Sequence, residues 1–314
     1  MRRAARWRWP EGIFWLLPIV AWFVFPEDLA LLAQIAIMAL FALSLDLILG
    51  YAGIVSLGHA AFFGLGAYAA GLLALAGWSD PLLGLAAAAT FAAALGFVTS
   101  FLVLRGSDLS RLMVTLAVAL MLFEIANKAI WLTGGLDGLQ GITVSPLLGR
   151  FEFDLYGRTG YIYSVVVLFV LFWIARRIVH SPFGLSLRGI SQNLLRMPAL
   201  GTPVNSRLIA VYTIGAAYAG VAGALLTQTT AFVSIDVLSF SRSATLLLIL
   251  VLGGAGSLYG AMVGAIVFMV AHQLLSDLNP QYWQFWLGWV LIFVVLFARG
   301  GVMGALRLLR VGRA

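Results

Sequence analysis

Long, nearly unbroken apolar runs decide what this chain can fold into. Ten stand in the sequence, over residues 12–26, 30–50, 60–77, 82–104, 112–132, 160–178, 207–230, 244–255, 258–276 and 283–298. A helix crossing a hydrocarbon core about 30 Å thick needs about 20 apolar residues, because each adds about 1.5 Å. Most of the runs meet that length. The runs 12–26, 244–255 and 258–276 are short or poorly separated. Residues 244–276 read either as one long tilted helix or as two elements meeting at a glycine cluster. Gly253, Gly254, Gly256 and Gly260 depress helical propensity in the middle, so two elements are predicted. Membrane β-strands would be short and alternating, and these runs are neither. The expected fold class is all-α: a polytopic helical membrane protein of about ten embedded helices with Gly-rich breaks, forming one transmembrane domain over residues 1–314.

Composition closes off the alternatives. The chain is 62% hydrophobic and 10% charged, against roughly 45–50% and about 25% in soluble domains. That leaves too little charge to coat a water-exposed globule, which excludes a soluble enzyme or a free nucleic-acid-binding protein. The chain has no cysteine, so disulfides, thiolate nucleophiles and Cys-based metal sites are absent.

The charges orient the bundle. With ten spans and a cytoplasmic N-terminus, the inside segments hold Arg2, Arg3, Arg6, Arg8, Arg105, Arg111, Arg176, Arg177, Arg188, Arg196 and Arg207, and the Arg-rich tail from Arg299. The outside segments hold mainly acids, among them Asp80, Asp137, Asp154 and Asp236. Lys/Arg bias sets orientation, so both termini are expected in the cytoplasm. Fusing 244–276 into one span would put the basic tail outside. The first run ends in Phe25-Pro-Glu-Asp28 without a small-residue cleavage site and reads as a retained span.

Two connections are longer than turns. Residues 133–159 are expected outside; alternating Phe151, Phe153 and Leu155 suit a short edge strand or a membrane-surface segment, and the loop reads as an ordinary ordered connection or as a docking surface for an external partner. Residues 179–206 lie inside. Between Pro182 and Pro198, Leu187, Ile190, Leu194 and Leu195 recur at roughly helical spacing. A short basic amphipathic helix there fits either docking to a protein or rest on lipid headgroups.

An ionisable group inside a span is costly and marks a candidate site. Here these are Asp46, Glu124 and Lys128. Glu124 and Lys128 stand four apart in the favoured order for a self-paired ion pair. His59 reads as a packed, hydrogen-bonded side chain. No metalloprotease, paired-carboxylate or Ser/His/Asp pattern is present, nor a phosphate-binding GxxxxGK[ST] loop, so any ATP hydrolysis must reside on another chain. Scarce carboxylates also weigh against an ion-coupled carrier, which remains the alternative class together with a channel. Glycines cluster at 50–71 and again at 253–264, one cluster in each half, each between two apolar elements. Such clusters permit close helix approach, as in the Gly260/Gly264 spacing, or unwound backbone lining a cavity.

Three blocks carry a family resemblance: GYAGIVSLGHAAFFGLGAYAAGLL over 50–73, SPFGLSLRGISQNLLRMPALG over 181–201 followed by AYAGVAGALL over 217–226, and VLGGAGSLYGAMVGA over 251–265. From about residue 30 to residue 306 the chain resembles the membrane permease subunit of bacterial branched-chain amino acid ABC importers, of the LivM type. The resemblance implies an inner-membrane protein paired with a second, related permease subunit. It also implies two cytoplasmic ABC ATPases that hold ATP and magnesium, and a periplasmic substrate-binding protein. This chain would bind no cofactor itself. The implied substrate-path candidates are Gly53, Ser56, Gly58, His59, Gly64 and Gly66, with Gly253, Gly254 and Gly256 from the second cluster. The 181–206 loop becomes the coupling element, with Leu187, Arg188, Ile190, Leu194, Arg196 and Gly201 facing the ATPase. Relatives usually carry acids where this chain has Ser191-Gln192-Asn193, Asn at Asp46 and Gln at Ile54. Related permeases that carry urea or short amides are therefore the alternative substrate class.

Overall fold

A computed structural model describes residues 9–147, 149–154, 157–282, 285, 286, 288, 289, 292 and 300–304. The helices are α1 (Trp9–Val24), α2 (Leu29–Leu45), α3 (Ala60–Leu75), α4 (Pro81–Val103), α5 (Asp108–Lys128), α6 (Ile130–Thr133), α7 (Arg158–Val179), α8 (Pro182–Gln192), α9 (Val204–Thr230), α10 (Phe240–Gly253) and α11 (Leu258–Leu278). A π-helical turn, Asp46–Tyr51, extends α2. No strand forms among the described residues; two isolated bridges, Leu139 to Val233 and Leu147 to Phe151, are the only β pairings there. The protein is all-helical. Six described helices are long and apolar enough to cross a membrane, and three shorter apolar ones accompany them. Nine of the ten predicted runs fall on α1–α5, α7 and α9–α11. The tenth, 283–298, lies largely outside the described residues.

Local chemistry sets several of the boundaries. Pro81 opens α4 and the Asp80 carboxylate accepts from Leu82 N–H at 2.8 Å, a cap and a preset first turn together. Ser257 starts α11 by accepting from Gly260 N–H at 3.0 Å. The predicted split of 244–276 is present: α10 ends at Gly253, and Gly254 and Gly256 take positive φ of 100° and 81°, which side chains with a Cβ resist. α5 starts four residues before the predicted run, with Asp108 in its first turn and Lys128 in its last; both charges suit the helix dipole.

α2 and α9 form the buried centre, whereas α4 and α5 expose most of their surface. Small residues let the backbones close on one another. A Cβ at Gly66 of α3 would overlap the Gly220 backbone of α9, and one at Gly264 of α11 would overlap the Ile249 carbonyl of α10. The glycine spacing at 260 and 264 is thus a packing seam within the chain. The two Gly-rich breaks also meet: a Cβ at Gly50 would run into the Gly256 backbone.

Outside the bundle, the 133–159 loop is ordered onto it through Leu139 and Ile142, both buried, and through Ser145 N–H, which donates to the Ser79 carbonyl at 2.9 Å. Phe151 makes one bridge and no strand, and Leu155 lies outside the described residues. At the other end, Arg176 in the last turn of α7 pairs with Glu11 in the first turn of α1. The start of α1 and the end of α7 therefore share one side.

Candidate functional site

Several of the sequence candidates gather at the end of the bundle where the two breaks meet. Asp46 is fully buried. Its Oδ1 accepts from Gly256 N–H at 2.7 Å, so a carboxylate from the first half holds the break of the second half. A backbone donor drawn out of water needs such a partner. Five residues on, the Tyr51 ring lies under the guanidinium of Arg188 in α8, 5.0 Å from its centroid. That distance is a cation–π contact. Gly53, at φ 73°, packs so closely on Ser191 of α8 that an added Cβ would stand 3.2 Å from the serine Cβ. One turn of chain thus touches both α8 and the Gly253–Ser257 break.

Local caps set the bounds of α8. Ser181 caps it, accepting from Gly184 N–H, with Pro182 at its first position. Gly184 lets its backbone sit against the Val179 carbonyl, and Gly201 leaves the following turn at φ 75°. The expected outward stripe of Leu187, Ile190 and Leu194 needs correction. Leu187 and Ile190 are 1% and 2% exposed and anchor α8 in the permease core. The helix ends at Gln192, so Leu194 belongs to the turn beyond it. The apolar groups that face outward are Leu185, Leu194, Leu195 and Leu200, with Leu195 89% exposed. Arg188 and Arg196 are exposed beside them, and Arg196 N–H donates to Asn193 Oδ1 at 3.1 Å. The helix spends its apolar stripe on its own core, and the turn after it carries the free surface.

The remaining candidates sit at close-packing positions. A Cβ at Gly58 would overlap the Thr115 carbonyl of α5, and Gly64 abuts Leu238 and Val237 of the 3-10 turn Ile235–Leu238. Gly253 faces the Gly260 carbonyl and Gly254 faces Gly300. Ser56 is buried in the core, as is His59. His59 Nε2 bonds Ser44 Oγ at 2.8 Å and its ring stacks on Phe41. Two long-range bonds brace this region: Ala60 N–H donates to Ser243 Oγ at 3.0 Å and Leu57 N–H to Thr115 Oγ1 at 3.2 Å. Glu124 and Lys128 are both exposed on α5, and no ion pair joins them among the described residues. Exposed partners four residues apart gain little from pairing. Among the described residues no cluster of three potential ligands for a metal forms.

One charge at the start of an apolar helix is not evident from the apolar runs. Arg242 stands just before the predicted run at 244, yet α10 begins at Phe240, so Arg242 lies in its first turn. Its guanidinium pairs with Asp236 at 3.3 Å.

Comparison with known proteins fits this geometry. The family described as the branched-chain amino acid transport system permease component matches residues 29–295. The high-affinity branched-chain amino acid transport system permease protein LivM of Escherichia coli is 29% identical, over 88% of this chain and 69% of its own length. BraD of Pseudomonas aeruginosa, a permease protein of the same description, is 28% identical, covering 85% of this chain and 91% of its own length. LivH of Escherichia coli is 24% identical, with the same two coverages. No solved structure matches the chain. The match takes in both Gly-rich breaks, α8 and the buried centre, and the chain belongs to the branched-chain amino acid transport system permease family.

Proposed function

We propose that this chain is one permease subunit of an ABC importer that moves branched-chain amino acids into the cytoplasm. The family match over residues 29–295 carries the reading. A second, related permease subunit completes the membrane unit; relatives include both LivM and LivH permease proteins. Two cytoplasmic ABC ATPases hold ATP and magnesium, and a periplasmic protein delivers substrate. The chain itself is no enzyme and binds no cofactor. It sits in the bacterial inner membrane as a single transmembrane domain with both termini in the cytoplasm.

The geometry supports a route for force. The exposed Leu194–Leu195 turn and Leu185 present apolar contact area, with Arg188 and Arg196 to orient a partner. From Arg188 the contact runs to Tyr51, and from the same turn Asp46 holds Gly256. Movement of α8 by an ATPase would then be felt at the junction of the two Gly-rich breaks.

The test is purification of the full complex and its reconstitution into proteoliposomes. ATP-dependent, binding-protein-dependent accumulation of leucine is expected. Accumulation of urea or short amides in place of leucine would overturn the substrate. Leucine flux that needs no ATPase would overturn the transporter class.

A further inference from the structure

Above the junction, on the side of the bundle bearing the 3-10 turn Ile235–Leu238, a cavity of about 400 Å³ lies between α2, α10 and α11. On α10 its lining residues are Ser241, Arg242 and Thr245, all in the first two turns of that helix.

The wall has two chemistries. Ile37 and Met38 of α2, Phe63 of α3 and Phe268 of α11 make an apolar side; Asp236 and Arg242 make a charged one. Their side chains are 63% and 28% exposed, so they face open space and not the packed core. A pair this exposed returns little stability. A helix cap is already supplied without them, because Ser239 Oγ accepts from Arg242 N–H at 3.2 Å.

We propose that this cavity is the acceptor site for substrate within the chain, and that it takes an α-amino acid zwitterion with an aliphatic side chain. This rests on the amino-acid importer reading above. The ligand's carboxylate meets the Arg242 guanidinium at the N-terminal end of α10, where the helix dipole also favours an anion. Its ammonium meets the Asp236 carboxylate. The two opposed charges 3.3 Å apart match a ligand that carries opposite charges on one carbon. The side chain lies on Ile37, Met38 and Phe63. Urea and neutral amides carry no such charge pair, and urea has no aliphatic group for that wall.

The test is leucine uptake by the complete importer in proteoliposomes, with binding protein saturated with leucine. The variants are Arg242→Gln, Arg242→Lys and the uncharged pair Asp236→Asn with Arg242→Gln. Removing a charge-assisted hydrogen bond to the substrate should lower uptake about tenfold or more in Arg242→Gln and in the uncharged pair. Assembled complex and substrate-free ATP hydrolysis should stay at wild-type levels, and Arg242→Lys, which keeps the cation, should retain part of the uptake. An uncharged pair that assembles and transports leucine like wild type overturns the site. Failure of the importer reading looks different: the wild-type complex would then not carry leucine at all, before any variant is compared.

Discussion

Asp46 joins the two halves of the chain through one hydrogen bond to Gly256. Replacing it with alanine leaves a half-buried N–H without its acceptor, at about 1 kcal/mol. Asparagine keeps an oxygen at the same place. Thermal unfolding of the purified protein should therefore fall clearly for Asp46→Ala and much less for Asp46→Asn; equal losses would remove the hydrogen bond from the account. Gly66 poses a steric question. Its missing Cβ leaves room for the Gly220 backbone, which cannot step aside, whereas a Cβ at Gly71 would meet the movable ends of Leu139 and Ile142. Gly66→Ala is expected to cost about 1–3 kcal/mol through overpacking, and Gly71→Ala less. Equal amounts of membrane-inserted protein from both variants would contradict that ranking. None of these partners was legible in the sequence. The glycine clusters announced close approach, but a partner far along the chain depends on tertiary packing. His59 followed the ordinary expectation of a packed, bonded imidazole.

At the scale of elements, α8 shows what periodicity can and cannot tell. Spacing located the helix between Pro182 and Pro198, and the amphipathic pattern was correct. It did not say which side of the helix the permease itself would take, because an apolar stripe serves a protein's own core and a partner's groove alike. The core took Leu187 and Ile190. Leu195→Asp should therefore leave insertion and folding intact while weakening retention of the ATPases and stimulated ATP hydrolysis. Leu187→Asp should instead put a charge into the core and deplete folded protein. Full ATPase retention and stimulated hydrolysis in the Leu195→Asp complex would rule out the coupling surface. Helix α10 teaches the converse. A run of apolar residues marks only the middle of a helix, so a polar first turn such as Ser239 to Arg242 falls outside it. Serine capping and the Asp236 partner extend the helix past the run, and with it went Arg242.

The whole molecule was the most readable level. Run length fixed the all-helical class, and nine of the ten runs coincide with described helices. The two-element split at 244–276 was readable because glycines at Gly254 and Gly256 take backbone angles that a helix cannot. The proposed orientation rests on arginine placement, and the absence of cysteine makes it easy to examine with single introduced thiols. Gln140→Cys and Leu195→Cys, both at exposed positions, should label from opposite faces of the membrane, Gln140→Cys from the periplasm. Labelling of both from the periplasm would end the proposed topology. The central claim is that this chain conducts branched-chain amino acids inward under ATPase drive. It is tested most directly by loading proteoliposomes containing the purified complex with ATP and adding labelled leucine with its binding protein. Accumulation against the gradient that stops when ATP or the ATPases are withheld is the predicted result. Leucine that merely equilibrates, at the same rate with and without ATPases, would contradict it.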